Sequence, residues 1–132
     1  MAFRFEFDPE NRTLLARFEG RLTDEAGIEF YRAIRRYSVA TDASAGIWDF
    51  SSVTEFAMSS AFIRQVAEQE PAMPNATVRP RIMVVPATVG FGLARMFQLM
   101  GERTRPLLKV VHTIDEALAA LGAKSPHFEP LE

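Results

Sequence analysis

Cysteine is absent from the 132 residues. That excludes disulfides, thiolate metal centres, iron–sulfur clusters and cysteine nucleophiles, and it fits a reducing compartment. A surplus of positive charge is absent too: fifteen basic residues stand against seventeen acidic ones, for a net charge of −2. Nucleic-acid binders carry basic surfaces, so that class is not expected. Uninterrupted apolar runs are also missing. The most apolar stretch, Ile82 to Met100, is broken by Pro86, Gly90, Gly92, Arg95 and Gln98, which the interior of a bilayer would not tolerate. Met1 to Glu10 alternates Phe with Arg, Glu and Asp, where a signal peptide needs a continuous apolar core. A cytoplasmic protein without a transmembrane segment is the expectation. What is present, 48% hydrophobic and 24% charged residues, matches a packed globule, and a chain of this length forms one domain.

Phe3, Phe5 and Phe7 alternate with Arg4 and Glu6, placing three rings on one face of a strand and charges on the other. Asp8-Pro9-Glu10-Asn11 has turn chemistry, and a return strand runs from Thr13 to about Glu19, stopping at Gly20. A helix follows with Thr23 as N-cap, Asp24 and Glu25 at its positive end, and Arg32, Arg35 and Arg36 near its negative end. Ala26, Phe30, Ala33, Ile34 and Tyr37 form its buried stripe. Ala45 to Phe50 reads as a strand covered on both faces. A linker leads to a short helix carrying Phe62, Ile63 and Val66, ended by Pro71, and Pro71 to Pro80 reads as a loop. Arg81 to Val85 is another strand, Pro86 to Gly90 a turn, Phe91 to about Glu102 a helix, and Leu107 to Val111 the last strand. Thr113 and Glu116 have capping-box spacing ahead of a helix, Ile114 to Leu121, closed by Gly122.

This order predicts a single α/β domain over residues 1–122: an antiparallel N-terminal hairpin, then parallel strands, in a five-stranded mixed sheet with about four helices. Residues 123–132, containing Pro126 and Pro130, read as a flexible tail.

In such a sheet ligands meet the protein where strands end and helices begin. Asp49 to Ser60, Pro86 to Gly92 and His112 to Asp115 should share that rim. Asp49, Ser51, Ser59, Ser60, Gly90, Gly92, Arg95 and His112 are its candidate ligand or partner residues. Asp49 and Ser51 also suit turn backbone, with one serine capping the helix. Gly90-Phe91-Gly92 lacks the third glycine of a dinucleotide fingerprint, Arg95 standing there, so it reads as close packing or a helix entry, with an anion site as the alternative. His112 has no nominated nucleophile or acid, and reads as a strand-end residue bonded to backbone. No His or carboxylate spacing fits a metal, Asp24-Glu25 and Glu68-Glu70 read as solvated helix ends, and no catalytic residue or cofactor is expected. On the helix from Phe91, the side chains of Leu93, Met96, Phe97, Leu99 and Met100 cover an arc of roughly 160°. Part of that arc exceeds what one sheet needs. It is a homodimer face or an apolar ligand groove, unless the Pro71 to Pro80 loop and the C-terminal tail overlay it.

The string Asp49-Phe50-Ser51-Ser52-Val53, followed by Met58-Ser59-Ser60 before a helix, resembles the STAS-type anti-sigma-factor antagonists. The chain to about Gly122 looks like the bacterial SpoIIAA-like proteins of the STAS/Sec14 group, as do Phe91 to Gln98 and Val110-Val111-His112-Thr113 with Glu116-Ala117. The resemblance implies no enzymatic activity and a role in protein–protein regulation, or alternatively as a carrier or sensor of a small apolar or lipid-like ligand. It also implies a phosphorylated serine at the start of the second helix, where Ser59 or Ser60 stands, with Ser59 the nominated phosphoacceptor. The sequence departs from the family in three ways: a longer linker from Asp49, Ala57 or Met58 in place of the Asp before the serines, and Ala61 in place of the following Gly.

Overall fold

A computed structural model describes residues 3–68, 79–86, 88–102 and 106–131. Strands β1 (Phe3–Asp8) and β2 (Thr13–Thr23) form the hairpin, followed by helix α1 (Asp24–Thr41), β3 (Ala45–Ala57), α2 (Ser60–Glu68), β4 (Arg81–Val84), α3 (Thr88–Met100), β5 (Leu108–Val111), α4 (Ile114–Leu121) and β6 (Glu129–Pro130). The sheet order is β5-β4-β3-β2-β1-β6. From β2 to β5 every neighbouring pair is parallel, while β1 runs antiparallel to both β2 and β6. The architecture is therefore a one-domain mixed α/β sheet, with β3, β4 and β5 side by side in one direction.

Alternation along the strands divides the core in two. Phe3, Phe5, Leu14, Ala16, Phe18, Trp48, Phe50 and Met83 share one cluster with Ala33 and Ile34 of α1 and Ala94 of α3. Leu15, Ile47, Ile82 and Val84 face the other way and pack against Ala117 of α4. Three successive crossovers each move one strand along the sheet in the same sense. Right-handed connection therefore puts α1, α2 and α3 on one face. Helix α4 lies on the opposite face, and the chain passes from there to the far edge of the sheet.

Several expectations are corrected. The sheet has six strands. The sixth comes from the segment expected to be a flexible tail: Glu129 and Pro130 pair with Phe7 and Glu6, and Leu131 N–H donates to the Phe5 carbonyl at 2.9 Å. Phe128 and Leu131 pack against the two core clusters. The unpaired edge of β1 supplies backbone partners that tail composition does not reveal. Strand β2 passes through Gly20, whose positive φ of 74° accommodates a register shift rather than a stop. The supposed linker after Phe50 is strand, since β3 pairs with β2 as far as Ala57 opposite Thr23. Helix α1 extends to Thr41, leaving no basic residue in its last turn. Cations from elsewhere in the chain instead meet the carbonyls just past its end: Arg12 Nη2 donates to Asp42 O and Arg79 Nη1 to Ala43 O, the latter at 3.0 Å. Helix α3 starts at Thr88, so Gly90 belongs to its first turn. Of the loop expected from Pro71 to Pro80, residues 71–78 lie outside the described residues, as does the Pro71 helix stop.

Candidate functional site

The hairpin turn and the tail form one polar latch. Asp8, 1% exposed, accepts from the backbone N–H groups of Glu10 (3.1 Å) and Asn11 (3.3 Å) through Oδ1. Its Oδ2 accepts from Asn11 Nδ2 at 2.6 Å and His127 N–H at 3.2 Å. Burial raises the Asp8 pKa, but the bonds from Asn11, His127 and Glu10 outweigh it and hold the carboxyl below its ordinary value. At the end of α1, Asp42 is likewise held low, first by the hydrogen bond and charge of Arg79 and then by Arg12.

The sequence-nominated rim resolves into three separate groups. Asp49, 6% exposed, points to the α4 side of the sheet. Its Oδ1 accepts from Ser51 N–H at 2.9 Å and from the Ser51 hydroxyl, and its Oδ2 accepts from Arg17 at 3.2 Å. Arg17 also bridges to Glu6 at 2.7 Å. This charged row covers sheet surface beside the part that α4 buries, and alternation in β1 and β2 foreshadowed only its Glu6 end.

The second group is the start of α3. A Cβ on Gly90 would fall 2.4 Å from the Phe56 ring, whereas Gly92 has open space around it. Gly90 therefore permits close approach of α3 to β3, and Gly92 lies inside the helix. Arg95 stands two turns into α3 and donates to Gln98 Oε1, while Gln98 Nε2 holds the Leu108 carbonyl at 2.8 Å. It does not join the helix entry as an anion clamp. His112 stacks on Phe91 at 4.4 Å and 14°, so among the described residues its partner is a ring where a backbone bond was expected.

The third group joins α1 to α2. Ser59 precedes α2 and its Oγ accepts from Phe62 N–H at 3.1 Å, so it is the helix cap. The same hydroxyl donates to Asp24 Oδ2 at 3.0 Å, and Ser59 N–H donates to Asp24 Oδ1 at 2.9 Å. Asp24, read from sequence as a solvated helix end, thus receives two bonds from a segment 35 residues away. Ser60 is exposed at the first position of α2. Among the described residues no hydrogen bond or ring contact connects the three groups.

The apolar arc of α3 is also divided. Leu93 and Phe97 turn inward and line a space between α1, α2, α3 and the sheet, with a volume of about 120 Å³. Met96 is partly buried, while Leu99 and Met100 are 60% and 40% exposed. The C-terminal tail, on the far sheet edge, does not overlay α3.

Two solved structures share this architecture. One, of the anti-sigma factor antagonist SpoIIAA in its unphosphorylated form, aligns over 93% of this chain and 100% of its own, with a TM-score of 0.58 and 21% identity. The fold is that of SpoIIAA. A second structure, of the Bacillus cell fate determinant SpoIIAA in the phosphorylated form, covers 91% of this chain and 99% of its own, at a TM-score of 0.52 and 22% identity. No family model and no curated protein sequence matches the chain. In this SpoIIAA-like fold, no helix among the described residues is long and apolar enough to cross a membrane. Among those residues no cluster of three His, Asp or Glu side chains could hold a metal ion.

Proposed function

We propose that this chain is a non-catalytic cytoplasmic regulatory module that works by protein contact, with Ser59 as the phosphoacceptor that switches it. The observation that carries the reading is the double use of the Ser59 hydroxyl. It is exposed, caps α2, and donates to the Asp24 carboxylate. Phosphorylation removes the O–H donor and adds about −1.5 to −2 charges. The helix dipole of α2 tolerates that charge, but Asp24 at hydrogen-bond distance repels it. The Asp24–Ser59 link therefore breaks, and the ends of α1 and α2 present a different surface to a partner. Proteins of the same fold solved in unphosphorylated and phosphorylated forms support this reading. Ser60, exposed and one residue further on, is the competing acceptor.

Intact mass and peptide mapping after incubation with lysate of the source cell and ATP test the proposal. Phosphate on the Ser59 peptide, lost in Ser59→Ala, is the expected result. An unmodified Ser59, or phosphate on Ser60 alone, ends the assignment.

The exposed apolar side chains at the end of α3 and before β5, Leu99, Met100 and Leu107, are where we place contact with a second copy. Light scattering on a concentration series should show a dimer that Leu99→Glu dissociates. A strict monomer at the highest concentration refutes the dimer.

A further inference from the structure

We infer that the space beneath α1, α2 and α3 is a binding site for a small neutral aromatic molecule, of the size class of benzene or toluene. This goes beyond the contact role above and uses different residues. The space measures about 120 Å³, and its walls are almost wholly apolar. Cavities of that scale with such walls stay dry and accept benzene-sized molecules, because water finds no partners there. Two glycines, Gly27 and Gly90, stand on its wall. A Cβ on Gly27 would stand 2.7 Å from the Phe62 ring, and one on Gly90 2.4 Å from Phe56. The two glycines therefore give room to the Phe62 and Phe56 rings, which stand with them in the wall.

The chemistry of the walls selects the ligand. Phe30 meets Trp48 edge-on at 5.8 Å, and Phe18 stacks on Phe50 at 4.4 Å, so ring faces and edges are already fixed around the space. Aromatic pairs at these spacings favour a further ring over an aliphatic chain of equal area. Arg81 is the charged residue among the described wall residues and is 4% exposed. A guanidinium plane attracts a ring face, whatever other partners it holds. A charged ligand would have to leave water for a wall whose one charge among the described residues, Arg81, already holds another partner, which disfavours it.

Trp48 is the single tryptophan of the chain and lines the space, so its emission reports occupancy. Titration of the full-length protein with toluene should change Trp48 emission saturably and raise Tm, with cyclohexane weaker by at least about threefold and hexanoate without effect. In Leu93→Trp, whose larger side chain enters the space from α3, the toluene-induced rise in Tm should disappear. Should that variant not fold, amide shifts of the unaltered protein decide, and those of Gly27 and Gly90 must move on toluene addition. No saturable response to toluene overturns the inference. So does an undiminished response in folded Leu93→Trp, or amide shifts confined to other regions. Tighter binding of hexanoate than toluene overturns the assignment to neutral aromatics.

Discussion

Replacing Asp8 should uncouple the C-terminal strand from the hairpin, and its pH dependence has a defined sign. Asp8 accepts four hydrogen bonds: two from turn N–H groups, one from the Asn11 amide and one from His127 N–H. Hydrogen bonds to an ionised group contribute about 1.5–3 kcal/mol each when the partner is left buried and unsatisfied. Glu10 and His127 are exposed and Asn11 partly so, so these donors recover water in part, and the net loss is far smaller than four full bonds. Asp8→Ala should therefore cost about 2–3 kcal/mol, which for a domain of this size lowers Tm by about 10 °C. Asp8→Asn keeps an acceptor oxygen and should cost less. Because the folded Asp8 pKa is lowered from 3.8, the ionised carboxylate stabilises the fold fully above that unfolded value. The contribution disappears as pH falls through the lower folded value. Urea unfolding of the original protein and Asp8→Asn should thus differ at pH 7 and converge toward pH 2–3. Hydrogen exchange should show the amide of Leu131, bonded to Phe5 O, losing protection in Asp8→Ala. A stability gap that stays constant or widens on acidification would refute the reasoning, because then the ionised carboxylate is not what the latch uses.

Other outcomes follow from the same contacts. Gly90→Ala should destabilise by about 1–3 kcal/mol, since the new methyl must displace the Phe56 ring; thermal melts check it, with Gly92→Ala, in open space, as the near-neutral or stabilising control. Thr113→Ala removes the acceptor for Glu116 N–H and should cost about 1 kcal/mol in urea unfolding. Truncation after Gly122 leaves β1 with an unpaired edge; limited proteolysis should cut its hairpin faster, and scattering should reveal association through that edge.

Much of the fold was legible in short-range pattern. Alternating Phe3, Phe5 and Phe7 marked β1, the stripe from Ala26 to Tyr37 marked α1, and the Thr113 cap and Gly122 stop bounded α4, whose C-cap has φ 65°. Strand ends were less legible. Gly20 has the composition of a terminator, yet the hydrogen bonds available from residues 52–57 of β3 carry β2 past it. The candidate site was legible only in part. Ser59 was nominated as a residue at a helix start, but its partner Asp24 lies in another element, and a surface carboxylate after an N-cap gives no local sign of a distant donor. Asp49 and Ser51 were expected at a strand end, but β3 continues to Ala57, so both lie within the strand; alternation sends Asp49 to the α4 face, while Ser59, beyond the strand, meets the start of α1. Residues adjacent along a strand can thus serve unrelated surfaces.

The sequence by itself determined the element types, the parallel alternation and which faces are apolar, because periodicity and caps act over a few residues. Only the tertiary structure decided that the tail becomes the sixth strand, that Asp24 holds Ser59, and that three helices leave an aromatic-walled space over the sheet. Those outcomes depend on which unpaired backbone edge, donor or ring lies nearby after the chain has folded, and that proximity is not a property of any local segment.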